Sequence, residues 1–159
     1  MSLKQDVQNW IKDSLEDPIA KILSKNSSLT KTQLETLIID VLAENLTSKQ
    51  LKYEEKAKMR QTKAEISRGS FNRTLRQAKM NVINSIYTIL LLGYLGILED
   101  TSMVLYLEIA SKLKEYKEAY RDILRAPDGA REQLNVIAML REELENTLNQ
   151  LTKPWTSRP

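Results

Sequence analysis

Apolar residues recur at spacings of three and four along most of the chain, the pattern of helices with one buried face. A first series begins at Val7 and is interrupted by Pro18, which predicts a helix over Leu3–Leu23 that is kinked or divided there. A second series begins at Leu34. Because 159 residues contain only four Gly and four Pro, the chain predicts an all-α, multi-helix fold.

Hydroxyl residues followed three positions later by Gln indicate two helix starts in the first third of the chain. Thr30 with Gln33 and Thr47 with Gln50 both have the spacing of a capping box. They predict one helix that begins after Thr30 and another, with few apolar positions, over about Ser48–Gln61.

The next helix begins basic and ends apolar. Its predicted span is Arg68–Leu92, capped by Ser67 and ended by Gly93 or Gly96, with a length of about 37 Å. Its main apolar positions fall within a wedge of about 60°, so we expect all of them to be buried, which would anchor the apolar half in a core. These positions are Phe71, Leu75, Ala78, Val82, Ile86 and Ile89.

Two further amphipathic helices are separated by the turn sequence Ala126–Gly129. The first is predicted to start after Glu99–Ser102 and to end near Arg125, and the second spans about Ala130–Leu151. Together they predict an antiparallel hairpin. The hairpin could pack within its own chain or form a dimer, and a two-fold dimer is slightly favoured because it would present two basic helices to one target.

Positive charge is concentrated in one segment of the chain. Residues 49–79 contain ten basic and three acidic residues, a local charge of +7, whereas the whole chain carries +3 and the remainder therefore −4. This asymmetry is typical of a segment that binds a polyanion. The alternative interpretation is a solvated, Lys-rich surface.

One face of the predicted basic helix carries side chains suited to nucleic acid. Arg pairs with guanine, and Asn and Gln pair with adenine, while Lys and a helix N-terminus suit phosphates. No acidic residue lies between Glu65 and Glu99. The candidate nucleic-acid-binding residues are Lys56, Lys58, Arg60, Lys63, Arg68, Ser70, Asn72, Arg73, Arg76, Gln77 and Lys79.

The stretch SRGSFNRTL, Ser67–Leu75, resembles the second helix of helix-turn-helix DNA-binding proteins. It is similar in particular to the pattern Ser-x-x-Thr-Val-x-x-x-Leu of sigma-factor region 4 and related regulators, and the match covers about residues 53–81. The block 29–98 also resembles a small archaeal regulator-type domain. The resemblance implies a helix that enters the major groove and binds DNA through Asn72, Arg73 and Arg76. The segment before Ser67, QTKAEIS, departs from the pattern because it has no Gly.

Several classes of site are excluded or disfavoured by composition. Without Cys and His, the chain can form neither disulfides nor Cys/His zinc sites, and it has no His-based nucleophilic machinery. The lack of Cys favours the cytoplasm. Neighbouring carboxylates such as Glu142 and Glu143 point about 100° apart on a helix and do not converge. We therefore expect no catalytic residues, no metal and no cofactor. The apolar run near Ile83 is shorter than the about 20 residues of a membrane span, so no membrane partner is expected.

These patterns lead to two expectations about function. The first is a homodimeric DNA-binding transcriptional regulator, with RNA less favoured than DNA because the chain has no aromatic strand or GxxG loop. The second is a non-enzymatic helical adaptor or assembly subunit that uses the basic patch for an acidic protein partner or for scaffolding in a nucleoprotein complex. The hairpin could also bind a protein partner. The predicted domain organisation is an N-terminal helix in residues 1–26, a helix-turn-helix-like domain in 28–98, the hairpin in 99–152 and a tail in 153–159.

Overall fold

The computed structural model describes residues 2–62, 64–97, 104–125 and 130–151. These ranges form seven helices and contain no strand, which confirms the all-α prediction. The chain divides into two compact units, Met1–Leu95 and Gly96–Pro159. The helices are α1 (Leu3–Glu16), α2 (Pro18–Asn26), α3 (Lys31–Thr47), α4 (Tyr53–Ala57), α5 (Arg68–Tyr94), α6 (Val104–Arg125) and α7 (Ala130–Leu151).

The division of the first predicted helix at Pro18 is confirmed. Asp17 ends α1 and caps α2, where its carboxylate accepts a hydrogen bond from the backbone N–H of Ala20 at 3.2 Å. Pro18 occupies the first turn of α2, where the N–H that it lacks would have no partner within the helix. The Pro that predicts the end of one helix therefore also predicts the start of the next.

Only one of the two predicted capping boxes starts a helix. Thr30 and Gln33 form a capping box at the start of α3, as expected. Thr47 is instead the last residue of α3, and its hydroxyl donates to the Ala43 carbonyl at 2.8 Å. Ser48 follows in the left-handed conformation, with φ at 51°. The predicted helix over 48–61 is thus wrong, because the Thr47 hydroxyl is engaged by the end of α3; only the short α4 forms in this region.

The core of the first unit joins α1, α3 and α5. Val7 and Ile11 of α1 are buried in the same cluster as Ile39 of α3 and Phe71 of α5. The predicted boundary at residue 26 separated the N-terminal helix from the rest of the chain. The shared core makes this helix part of the first unit instead. Its apolar face needs the other helices in order to be removed from water.

The start of α5 is confirmed, but the predicted burial of its second half is wrong. Ser67 caps the helix by accepting the Ser70 N–H at 3.2 Å, and Gly96, with φ at 67°, follows its end. Within α5 only Phe71, Leu75 and Ala78 are buried. The contacts of α5 with the rest of the first unit extend as far as Ser85. The Ser85 hydroxyl lies 2.9 Å from that of Ser28, just before α3 begins. Beyond that point α5 continues past the start of α3.

The consequence is that most later apolar side chains of α5 contact solvent. Three members of the predicted buried series, Val82, Ile86 and Ile89, are 40%, 54% and 36% exposed. Their positions on the helix were predicted correctly, but the other described helices of the first unit leave them exposed.

The second unit contains the hairpin of α6 and α7, which pack against each other. Ile109 and Tyr116 of α6 are buried, as are Ile137, Leu144 and Leu148 of α7. Lys112 of α6 forms an ion pair with Glu143 of α7. Leu134, one turn before Ile137 on α7, is half exposed. The predicted turn at 126–129, the helix start at 99–102 and the tail at 153–159 lie outside the described residues.

We expect the core of the first unit to be sensitive to truncation at Ile39. Ile39→Ala removes a fully buried side chain and should lower the free energy of unfolding by about 2–5 kcal/mol. Val41→Ala is the matched control on the same helix, because Val41 is 60% exposed, and it should change stability by less than about 0.5 kcal/mol. Urea unfolding monitored by circular dichroism measures both, and equal effects would contradict the assigned core.

Candidate nucleic-acid interface

The first three turns of α5 present a polar face opposite their core contacts. Because Phe71, Leu75 and Ala78 pack inwards, the side chains at the intervening positions point away from α3. Arg73, Arg76 and Gln77 are exposed and Asn72 is half-buried. We call Asn72, Arg73, Arg76 and Gln77 the basic face. The structure thus brings together four of the candidate residues, all of types that can contact base edges.

The charge of this face is uncompensated within its own helix. From Arg68 to Tyr94, α5 contains no Asp or Glu. In the described part of the chain, the guanidinium groups of Arg73 and Arg76 lie in no ion pair. Arg68 and Ser70, in the first turn, are also exposed, so the helix start adds its partial positive charge to the same end. Lys58, before α5, is exposed as well.

Lys56 is not available to bind phosphate, which corrects the prediction for this residue. Its side chain is 2% exposed, and its Nζ lies 2.7 Å from Asp40 Oδ1 and 2.6 Å from Glu44 Oε1. The same ammonium group is 5.4 Å from the centroid of the Tyr53 ring. Two carboxylates and an aromatic ring therefore hold this cation inside the fold.

Arg60 is likewise held inside the first unit, so its assignment as a phosphate contact is also wrong. It is 8% exposed, and its guanidinium lies 3.6 Å from a carboxylate oxygen of Glu35. Glu35 also accepts a hydrogen bond from the backbone N–H of Gln61, and the Arg60 carbonyl accepts one from the Gln8 side chain at 3.3 Å. Lys63, the remaining candidate of this segment, lies outside the described residues.

Lys79 is partly available to a ligand, because it is exposed but also forms an ion pair. Its side chain is about half exposed, and its Nζ lies 2.9 Å from Asp40 Oδ2. Asp40 therefore binds Lys56 of α4 with one oxygen and Lys79 of α5 with the other. This single carboxylate joins three helices and fixes the orientation of α5 at the turn that follows the basic face.

Asp40, Glu44, Lys56 and Lys79 form one group of ion pairs, which we call the Asp40 cluster. Within it, the charged forms of Asp40 and Lys56 are both favoured. Burial alone would raise the pKa of Asp40, but its hydrogen bonds and ion pairs with Lys56 and Lys79 lower the pKa below its usual value. Burial would correspondingly lower the pKa of Lys56, yet Asp40 and Glu44 raise the pKa above its usual value. Asp40 and Lys56 are therefore both charged at neutral pH.

Sequence reasoning missed Asp40, Glu44 and Glu35, which neutralise the buried cations. Asp40 and Glu44 are four residues apart and so share one face of α3. That spacing was a signal for two adjacent carboxylates near the apolar face of a helix. It did not identify the partner, because Lys56 belongs to another helix.

An open cleft of about 840 Å³ lies beside the cluster. Its lining carries both signs of charge, with Lys52, Arg68 and Lys79 near Glu44 and Glu54. Among the described residues, no group of three or more acidic side chains is placed to hold a metal ion. None of the helices in the described ranges combines the length and hydropathy needed to cross a lipid bilayer.

The connection before α5 is longer than that of a typical helix-turn-helix unit. Residues 58–67 separate α4 from α5, whereas such units have turns of about three or four residues. The segment in which the sequence departs from the pattern thus lies in a connection that is also longer than the pattern requires, and the helix-turn-helix resemblance stays a prediction. No family model, curated protein or solved structure matches the chain.

Loss of the Asp40 carboxylate should destabilise the first unit. Asp40→Asn leaves Lys56 buried with Glu44 as its only carboxylate partner among the described residues, and we expect a loss of about 1.5–3 kcal/mol at neutral pH. Asp13→Asn, an exposed site on α1, makes the same change of charge and should be nearly neutral. Urea unfolding measures both variants, and a neutral Asp40→Asn would contradict the proposed role of this cluster.

The pH dependence of that loss has a definite sign. Since the pKa of Asp40 is lower in the folded chain than its ordinary value of 3.8, its stabilisation is complete above that value and disappears as pH falls through the folded value. The difference in unfolding free energy between the wild type and Asp40→Asn should therefore shrink below about pH 4. A difference that grows on acidification would contradict the lowered pKa.

Proposed function

We propose that the chain binds nucleic acid, with DNA as the favoured target, through the N-terminal half of α5. The observation that carries the proposal is the basic face: Arg73, Arg76 and Gln77 are exposed together on a helix that contains no acidic residue. Arg and Gln supply the bidentate donors that recognise base edges in the major groove. A transcriptional regulator is the role proposed for such a protein.

The set of proposed contacts is narrower than the sequence alone indicated. Arg73 and Arg76 are the principal contacts, with Asn72 and Gln77 directed at base edges. Phosphate contacts fall to Arg68 and Ser70 in the first turn of α5, to the exposed part of Lys79 further along that helix, and to Lys58, which is exposed before α5. Lys56 and Arg60 instead support the fold beneath this surface.

Salt dependence tests the electrostatic part of the proposal. The three cationic phosphate contacts, Arg68, Lys58 and Lys79, would release about three counterions and give a slope near −2.7 for the logarithm of the binding constant against the logarithm of salt concentration. Fluorescence anisotropy with a mixed-sequence duplex at several salt concentrations measures this slope. Absence of binding at low salt would contradict the proposal.

A matched pair of variants tests the location of the interface. Arg73→Gln with Arg76→Gln should weaken binding at least tenfold, because both changes remove contacts to base edges, while the phosphate contacts and most of the slope remain. Lys12→Gln with Lys21→Gln removes the same charge from exposed sites on α1 and α2 and should leave the affinity nearly unchanged. Equal losses in the two double variants would show that binding follows net charge and not this face.

A helical adaptor is the second candidate function. It is favoured by the exposed apolar residues on the C-terminal half of α5, which are more numerous than a solvated helix requires. An adaptor would use the basic face for an acidic protein partner, so charge reversal at Arg73 and Arg76 separates the candidates. Loss of DNA binding supports the first, whereas loss of a protein complex by a chain with no DNA affinity supports the second.

A further inference from the structure

The C-terminal half of α5 carries a regular row of exposed apolar side chains. Met80, Ile83, Tyr87, Leu90 and Tyr94 follow one another at steps of three and four residues, and their exposed fractions range from 44% to 89%. Such alternating steps are the a and d positions of a heptad, which align on one side of a helix and pack into a facing helix. We call these five residues the exposed seam.

The area of the seam is close to what a stable interface needs. The exposed fractions of its five side chains correspond to roughly 700 Å² of surface, while a standard protein interface buries about 800 Å² on each partner. Ile86 and Leu91, which flank the seam and are each 54% exposed, extend it further. A contiguous apolar surface of this size is larger than a monomeric protein commonly leaves in water.

The surroundings of the seam indicate what covers it. From Met80 to Tyr94 there is no charged residue, so a partner surface with charges at its centre would lose their hydration without gaining ion pairs. No other described helix of the chain has an uncharged run of this length. A second copy of α5 is therefore the surface in this molecule that fits the seam in both length and charge.

We propose that two copies of the chain associate through the exposed seam of α5. The contact is isologous, because the same residues face each other across a two-fold axis. Arg76 and Arg73 continue the same series of steps towards the N-terminus, and their like charges limit the paired region to Met80 and beyond. The hairpin of α6 and α7 is not the dimer contact in this arrangement.

Sedimentation equilibrium of the full chain without nucleic acid tests the proposal independently of DNA binding. The wild type should show twice the 18.3 kDa of one chain. Leu90→Gln with Tyr94→Gln should raise the dissociation constant by about two orders of magnitude or more, because both side chains are exposed in the single chain and would be buried in the dimer.

The control places the same change on the hairpin. Val136→Gln with Met139→Gln alters two exposed apolar residues of α7 and should leave the dimer intact. Dissociation of this control variant while the seam variant remains dimeric would overturn the proposal. A wild type that is monomeric throughout would also overturn it, and binding of that monomer to anionic lipid vesicles would assign the seam to a membrane surface instead.

A cross-link provides a second measurement that needs no destabilised variant. The chain has no Cys, and Tyr87 is the central residue of the seam, so it lies near its own copy whether the two helices run parallel or antiparallel. Tyr87→Cys should give a covalent dimer with a short bismaleimide far more efficiently than Val41→Cys, an exposed site on α3. Equal yields would overturn the proposal.

Discussion

The packing of α5 against α3 is the interaction on which the rest of the first unit depends. Phe71, Leu75 and Ala78 remove one side of three helical turns from water, and this contact determines which side chains point outwards. The Asp40 carboxylate adds directional bonds to the same region through Lys56 and Lys79. Apolar burial stabilises the helix pair, and the charged cluster fixes its rotation and register, because hydrogen bonds depend on direction and apolar contacts do not.

The basic segment illustrates why charge in a sequence is not equivalent to charge on a surface. Residues 49–79 carry +7, yet the ammonium of Lys56 and the guanidinium of Arg60 are neutralised inside the unit by acidic residues of α3. What remains for a polyanion is the smaller group around Arg73 and Arg76. The separation of basic and acidic residues along the sequence therefore overestimates the exposed positive surface whenever the acidic flanks fold against the basic segment.

Most local signals in the sequence predicted local structure correctly, and the capping box expected at Thr47 and Gln50 is the exception. The caps at Thr30 and Ser67 and the break at Pro18 depend on bonds between residues only a few positions apart, so they are legible in the sequence. The burial of Lys56 depends on Asp40, and the exposure of Ile86 depends on where α3 begins. Periodicity identifies the apolar face of a helix, but whether another element covers that face is a tertiary property that local spacing does not contain.

Because α5 is one uninterrupted helix, it holds its two halves at a fixed distance and a fixed angle to each other. Its 27 residues span about 40 Å at 1.5 Å each, with no Pro, and the basic face and the exposed seam occupy its two halves. Because each residue turns the helix by about 100°, inserting one residue between Arg76 and Met80 would rotate the two halves out of phase, while seven would restore their alignment to within about 20°. If both halves act together, the number of residues between them must therefore be maintained, and not only the composition of the helix.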